Sequence, residues 1–192
     1  MSAPVEDGWE DRWREFHRPA RAAGLWIGPP WESPPPGTPA VVVDPGRAFG
    51  TGAHATTRAC IELVARQERG SLLDAGCGSG VVAVAAVRLG FDPVLAVDLD
   101  AAAVAVTRET ARRNGVRIDV RQADVLYDEL PPVDLVVANI ELAVVQELLA
   151  RRSARRAVTS GYLAPQSPNA AGWERVDRLE LDGWAADALR AS

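Results

Sequence analysis

The sequence predicts an α/β protein with a mostly parallel sheet, helices on both of its faces and an antiparallel hairpin at its carboxyl end. Short apolar runs alternate with longer segments of helical period, as in successive strand and helix units. The run at 133–138 is almost wholly apolar, which is typical of a central parallel strand covered on both sides. Asp182-Gly183 is a hairpin turn signal between two strand-like segments near the carboxyl end.

The individual elements follow in order from residue 41. Apolar runs predict strands over 41–43, 71–75, 94–97, 118–121, 133–138 and 157–160, and a final pair of strands within 174–189. Apolar residues at helical spacing predict helices over 56–69, 80–89, 101–114 and 142–150. Asn114-Gly115 tolerates the left-handed conformation and is expected to end the third of these helices.

The first 39 residues differ from the rest of the chain. Trp9, Trp13 and Phe16 are spaced by four and three residues, which places them on one face of a short helix within 1–24. Six of the 14 prolines fall in 28–39, a composition typical of a stiff connection. We therefore expect an N-terminal helix and a proline-rich linker over 1–39 and a single larger domain over 40–192.

Composition and charge exclude several classes of protein. The 192 residues carry a net charge of −5, which disfavours a protein held on nucleic acid mainly by phosphate contacts. The sequence contains no apolar run of about 18 residues and begins with an acidic segment, so neither a membrane span nor a signal peptide is expected. Cys60 and Cys77 are too few for a disulfide framework. These features predict a cytoplasmic protein with reduced thiols.

A glycine-rich segment, DAGCGSG at 74–80, lies between a predicted strand and a predicted helix. Its glycines allow a sharp turn and a close approach of a ligand to the main chain. The Gly-x-Gly-x-Gly spacing of Gly76, Gly78 and Gly80 differs from the Gly-x-Gly-x-x-Gly of pyrophosphate binders. It therefore indicates a nucleoside ligand without a pyrophosphate and disfavours a dinucleotide oxidoreductase. An ordinary strand-to-helix turn is the alternative interpretation.

Three aspartates follow predicted strands. Asp98 ends the strand after the glycine-rich segment, where a carboxylate can accept hydrogen bonds from both hydroxyls of a ribose. Asp100 is interpreted as the N-cap of the next helix. Asp124 follows the third strand of this series, at a position that borders the adenine edge in such folds, although a surface turn carboxylate is nearly as plausible.

The segment DPGRAFGTGAHATT at 44–57 precedes the first helix of the domain. It resembles the corresponding segment of the bacterial methyltransferases that modify a large-subunit ribosomal protein, the PrmA type. The resemblance continues in the same order through DAGCGSG at 74–80, VDLDAAA at 97–103 and ANIEL at 138–142, and it extends from about Trp9 to Leu189. Four motifs in sequence make a chance match improbable.

The resemblance implies a Rossmann-like, doubly wound, seven-stranded methyltransferase sheet and S-adenosyl-L-methionine as the cofactor. It also implies that Thr57 contacts the methionine part of the cofactor, that Gly76 lies under its amino-acid portion and that Asp98 holds the ribose. Phe49 and Gly50 would belong to a loop that covers the cofactor. The remaining cofactor-binding positions that we assign are Asp74, Gly78, Gly80, Asp124 and Asn139.

Asn139 is the one catalytic residue that we predict. The resemblance implies that it sits where methyl donor and acceptor meet, and its carbonyl could orient an amine nucleophile. A simple turn asparagine is the alternative. His54 is a candidate base, but a structural role in the covering loop is at least as plausible. No metal site is predicted.

The resemblance implies methylation of an amine on a ribosomal protein. Full-length members of the family carry an N-terminal domain that grips the substrate, whereas only about 40 residues precede the catalytic domain here. Two other functions therefore stay open: a methyltransferase for a small molecule or another protein, and a cofactor-binding module without catalysis. We expect a protein substrate, no stable binding to nucleic acid and no membrane association.

Overall fold

The computed structural model describes residues 18–45, 52–151 and 154–192. Within these ranges the chain forms ten strands and four helices. The strands are β1 Ala20–Ala22, β2 Leu25–Gly28, β3 Ala40–Val42, β4 Leu72–Ala75, β5 Val94–Asp98, β6 Asp119–Gln122, β7 Val133–Asn139, β8 Ala154–Leu163, β9 Trp173–Leu181 and β10 Trp184–Ala191. The helices are α1 Ala55–Ala65, α2 Val81–Arg88, α3 Ala101–Arg113 and α4 Leu142–Ala150.

Seven strands form the main sheet in the order β6-β5-β4-β7-β8-β10-β9. The five strands from β6 to β8 pair in parallel, and β10 pairs antiparallel with both β8 and β9. The predicted α/β class, the mostly parallel sheet and the hairpin around Asp182-Gly183 are thus confirmed. The chain runs outward from β4 to β6 and then returns to β7. The carboxyl ends of β4 and β7 therefore border the crevice in which open α/β sheets bind ligands.

Helices cover both faces of this sheet. Leu72 belongs to a buried cluster that includes residues of α1, α2 and α3, whereas the adjacent Leu73 belongs to a second cluster with Leu148 of α4. Successive strand residues point to opposite faces, so a strand between two helical layers must be apolar at every position. No helix within the described ranges has the length and apolar character needed to cross a membrane.

The amino-terminal strands were not predicted. β1 pairs antiparallel with β2, and β2 pairs in parallel with β3. Leu25 and Ile27 of β2 are almost fully buried and join the larger apolar cluster of the main fold. The predicted helix and linker over 1–39 are therefore wrong for 20–28. These strands escaped prediction because three or four residues are too few to show a strand period in the sequence. Trp9, Trp13 and Phe16 lie outside the described residues, and the boundary at 39/40 stays a prediction.

The side chain of Asn114 joins this small sheet to the end of α3. Its carboxamide accepts a hydrogen bond from the backbone N–H of Val42 and donates one to the carbonyl of Val42, both at 2.8 Å. It also donates to the carbonyl of Thr110. Asn114 itself keeps a right-handed conformation, and the left-handed residue that follows the helix is Gly115, with φ of 62°.

We expect Asn114→Ala to lower the free energy of unfolding by about 2–3 kcal/mol, because it leaves two backbone groups of Val42 without their partner. Urea unfolding curves measure this change. Asn169→Ala is a suitable control, since Asn169 is exposed and its backbone N–H, not its side chain, binds Gln146. Equal stability of the two variants would contradict the role of Asn114.

Candidate nucleoside-binding and transfer site

A cleft of about 860 Å³ opens at the carboxyl ends of the parallel strands. Its volume is that of a pocket for a small molecule or cofactor. Most of the predicted site residues line it together, although they come from α1 and from the carboxyl ends of four different strands. These residues are Thr57, Asp74, Gly76, Gly78, Asp98, Asp124 and Asn139. Phe49 and Gly50 lie outside the described residues, so their assignment stays a prediction.

The glycine-rich segment turns sharply after β4. The backbone N–H groups of Gly76 and Cys77 both donate to the carbonyl of Val97, at 2.9 and 3.0 Å. Gly76 has φ of 74°, and a Cβ there would come within 2.5 Å of the Ile140 side chain. Glycine is therefore required where this turn passes the end of β7. Gly80 begins α2 and packs against Thr107, outside the lining of the cleft.

Asp98 stands at the end of β5 and ties two loops together. One oxygen of its carboxylate accepts from the N–H of Gly78 at 2.9 Å, and the other accepts from the N–H of Asp100 at 3.0 Å. Asp100 in turn caps α3 by accepting from the N–H of Ala102 at 2.8 Å, as predicted. Each carboxylate oxygen has a further lone pair, so Asp98 can still accept from a hydroxyl in the cleft.

Asp74, the first residue of the glycine-rich segment, lies in β4, is 2% exposed and accepts from the N–H of Ala83 at 3.0 Å. Burial raises the pKa of its carboxyl to about 7, and the nearby charge of Asp98 acts in the same direction, against the lowering effect of the Ala83 hydrogen bond. Burial disfavours the charged form of an acid. Asp74 thus holds the start of α2 and titrates near neutral pH.

This raised pKa has a consequence for stability. Below pH about 4 the folded and unfolded chains both bind the Asp74 proton, whereas between about 4 and 7 only the folded chain retains it. The contribution of this group to stability is therefore lost as the pH rises through that window. We therefore compare the free energies of unfolding of Asp74→Asn and wild type at pH 5 and at pH 8. The difference between the two proteins should shift in favour of the variant by on the order of 2 kcal/mol from the lower pH to the higher.

Urea unfolding at the two pH values, without ligand, measures the effect. Asp100→Asn removes a carboxylate at an exposed position and serves as the matched control. Because asparagine caps a helix about as well as aspartate, its stability relative to wild type should change little with pH. An identical pH response of the two variants would contradict the buried titration of Asp74.

Asp124 forms a turn and also lines the cleft, while its place at an adenine edge stays a prediction. Its carboxylate accepts from the N–H of Leu126 at 2.9 Å, which is a turn, and the residue also lines the cleft. Leu99, Val125 and Leu126 form apolar walls beside it. These three residues were missed. Leu99 is 67% exposed, and sequence alone does not show that this apolar side chain lies beside a cleft.

Thr57 and Asn139 lie next to each other in the cleft, across the glycine-rich segment from Asp124. Thr57 lies in the first turn of α1, 1% exposed, and Asn139 is the last residue of β7. The Nδ2 atom of Asn139 lies 3.4 Å from Oγ1 of Thr57, within hydrogen-bonding distance. Two residues that are 82 positions apart in sequence are therefore neighbours in the cleft.

His54 is the N-cap of α1. Its Nδ1 atom lies 3.4 Å from the N–H of Thr56 and 2.8 Å from the Thr56 hydroxyl. Nδ1 is an acceptor for that N–H, so we assign the proton of the neutral ring to Nε2. His54 thus has a capping role, and the structure favours this over the role of a base.

Three further residues line the cleft and were missed by sequence reasoning. Trp184, at the start of β10, packs edge-on against His54 with ring centroids 5.1 Å apart. Gly161, inside β8, has φ of 99°, and a Cβ there would overlap the carbonyl oxygen of Ile140. The third is Glu141. A glycine within a strand is itself a signal of close backbone approach, but the predicted strand ended at 160.

The two cysteines do not supply a nucleophile. Both are free and buried. Burial raises the pKa of the Cys77 thiol to about 12 and that of the Cys60 thiol still further, with the charge of Asp74 acting in the same direction. The thiolate is the reactive form. Neither group is therefore suited to form a covalent intermediate.

The sheet order, the glycine-rich turn after β4 and the aspartate that ends β5 define a protein of the seven-stranded methyltransferase fold. The particular family follows from comparison with known proteins. The chain belongs to the ribosomal protein L11 methyltransferase (PrmA) family, whose model matches residues 2–184. The family resemblance of the four motifs is thereby confirmed.

Named relatives agree with this assignment. Ribosomal protein L11 methyltransferases of Symbiobacterium thermophilum and Azotobacter vinelandii are 39% and 40% identical to the chain over 94% and 93% of its length. The chain spans 65% and 66% of these two proteins, just under two thirds. A crystal structure of a ribosomal protein L11 methylase from Lactobacillus delbrueckii subsp. bulgaricus superimposes with a TM-score of 0.78 and 26% identity, covering 89% of this chain and 96% of that one.

Proposed function

We propose that this protein transfers a methyl group from S-adenosylmethionine to an amine of ribosomal protein L11. One observation carries the proposal: a single cleft brings the glycine-rich turn and Asp98 together with Thr57 and Asn139. The first pair suits a nucleoside, and the second lies beside it where a reacting group would be held. The names of the relatives supply the acceptor protein, and a ribosomal substrate implies a reaction in the cytoplasm.

The residues of the cleft fit S-adenosylmethionine. Asp98 offers carboxylate lone pairs to ribose hydroxyls, and Leu99, Val125 and Leu126 offer apolar surface to a flat base. Gly76 adds no side chain of its own to the turn that borders the cleft. When bound, the cofactor supplies an electrophilic methyl group, so it carries the difficult part of the chemistry.

The protein's own task is then positioning. An amine attacks with its lone pair, which must point along the axis of the methyl–sulfur bond. The Asn139 carbonyl can accept a hydrogen bond from an amine N–H and so orient that lone pair, while the contact between Asn139 Nδ2 and Thr57 Oγ1 holds the carboxamide in place. We propose that these residues act by alignment, without a strong general base.

Transfer of radiolabelled methyl groups tests the proposal. The protein is incubated with methyl-labelled S-adenosylmethionine and ribosomal proteins or total lysate, and the labelled species is identified by mass spectrometry. Label in ribosomal protein L11, as an alkali-stable N-methyl amine, is the expected result. Label in another protein, or only in small molecules, would show that the acceptor is that molecule and not ribosomal protein L11. No label at all would favour a cofactor-binding module without catalysis.

A thermal-shift experiment tests the cofactor separately. We expect S-adenosylmethionine and S-adenosylhomocysteine to raise the melting temperature and NAD to leave it unchanged, since a ligand that binds only the folded state stabilises it. Stabilisation by NAD alone would overturn the assignment of the cleft.

A further inference from the structure

The order of the strands divides the cleft into two halves. The ends of β5 and β6 contribute Asp98, Leu99 and the segment 123–126, which form the nucleoside half in the proposed function. The ends of β7, β8 and β10 contribute the segment 139–141, Gly161 and Trp184. Because β4 lies between the two sets of strands, the second half faces the opposite end of a bound nucleoside. We call it the acceptor half.

Glu141 is the carboxylate of the acceptor half. It follows Asn139 and Ile140 directly and precedes the nine-residue helix α4. Its backbone is extended, with φ of −57° and ψ of 140°, and its side chain makes no capping hydrogen bond to the helix. The side chain is exposed, lines the cleft and has no hydrogen bond or ion pair with any residue that the structure describes.

The other carboxylates that line the cleft are already committed to backbone groups. Asp74 accepts from Ala83, Asp98 accepts from two N–H groups, and Asp124 accepts from Leu126. No arginine or lysine lies among the described residues of the lining. The cleft is therefore negative, and Glu141 is the carboxylate of its described lining that makes no hydrogen bond or ion pair with a described residue.

We propose that Glu141 is a specificity-determining residue that selects a cationic acceptor, an alkylammonium group such as a lysine side chain or a peptide amino terminus. This rests on the proposed methyl transfer to an amine. A carboxylate two residues from Asn139 attracts an ammonium to the point where the carboxamide can orient it. Charge-assisted hydrogen bonds between ammonium and carboxylate are among the stronger polar contacts in proteins.

The same contact has a second, opposite effect. A neighbouring carboxylate raises the pKa of an ammonium group because it stabilises the charged form. The amine must lose its proton to solvent before its lone pair can attack. Glu141 thus improves binding of the acceptor and at the same time moves the rise of kcat to higher pH. A residue with only a structural role would not couple these two quantities.

Glu141→Gln tests the proposal in the full chain, with ribosomal protein L11 as the acceptor. We expect KM for the acceptor to rise about tenfold, the difference expected for one charge-assisted hydrogen bond. The pH at which kcat is half-maximal should fall, and KM should depend less on salt concentration because a charge has been removed. The dissociation constant of S-adenosylhomocysteine should stay within about twofold of wild type, since the contact lies outside the nucleoside half.

Glu147→Gln is the matched control. Glu147 is exposed on the same helix, pairs with Arg151 at 3.3 Å and lies outside the cleft lining. Its removal should change none of these quantities. If wild type methylates the acceptor and Glu141→Gln has unchanged KM and pH profile, the role of Glu141 is wrong while the proposed function stands. Weaker cofactor binding by Glu141→Gln would also overturn it, and failure of wild type to methylate an amine would instead refute the proposed function.

Discussion

Asp98→Asn is expected to weaken binding of S-adenosylhomocysteine about 100-fold, which corresponds to about 2.7 kcal/mol. The carboxylate accepts from Gly78 and Asp100 through different oxygens. An asparagine has one acceptor oxygen, so its amide group must face an N–H or a ribose hydroxyl. The change therefore removes the charged acceptor for the ribose and disturbs the glycine-rich turn. Isothermal titration calorimetry with the full chain measures it.

Asp100→Asn is the control for this experiment. It removes the same charge two residues away and retains a side-chain acceptor for the N–H of Ala102. Its affinity for S-adenosylhomocysteine should stay within about twofold of wild type, because asparagine and aspartate cap helices equally well. An equal loss in both variants would mean that net charge, rather than the position of Asp98, determines affinity.

Asn139→Ala is expected to lower kcat for methyl transfer at least about 100-fold, the typical cost of misplacing a reacting group by an ångström. The alanine lacks both the carbonyl that would orient the amine and the Nδ2 atom that contacts Thr57. Affinity for S-adenosylhomocysteine should change less than about threefold, because in the proposed mechanism Asn139 orients the acceptor amine. Single-turnover transfer and calorimetry separate the two effects.

Asn169→Ala provides the comparison, since Asn169 is exposed and lies outside the cleft lining. This variant should transfer methyl groups at the wild-type rate. Full turnover by Asn139→Ala with normal cofactor binding would show that the asparagine is only a turn residue. Loss of cofactor affinity in proportion to kcat would place it in cofactor binding instead.

Much of the main sheet could be predicted because its elements carry strong local signals. Helix α4 was predicted with its observed bounds, and the hairpin around Asp182-Gly183 was placed correctly. A two-sided burial pattern forces every residue of a central parallel strand to be apolar, and a two-residue turn demands a left-handed conformation. Signals of this kind are contained within a few consecutive residues, so a single sequence reveals them.

The small amino-terminal sheet shows where such reasoning ends. β1 and β2 contain three and four residues, too few for a period to be visible, and the adjacent prolines suggested a linker. What stabilises these strands is distant in sequence: the apolar cluster that receives Leu25 and Ile27, and the carboxamide of Asn114 on the far side of β3. Long-range partners decided the conformation of this segment.

The site divides in the same way. The glycine-rich segment and Asp98 were predictable by spacing, because ends of successive parallel strands meet at one edge of a sheet. Asp100 as a helix cap followed from local rules as well. Glu141, Gly161 and Trp184 have no motif of their own. They become site residues because β7, β8 and β10 are neighbours in the sheet, and that order is a property of the folded chain.

The sequence alone is sufficient for the α/β class, the glycine-rich turn after β4 and the family, since each depends on short motifs with a defined backbone requirement. The folded structure is needed to see which residues share the cleft and that Asp74 is buried enough for its pKa to rise to about 7. These depend on desolvation and on contacts between segments far apart in the chain. Neither desolvation nor long-range contact is encoded in local spacing, so only the packed molecule reveals that Glu141, Gly161 and Trp184 line the same cleft as the glycine-rich turn.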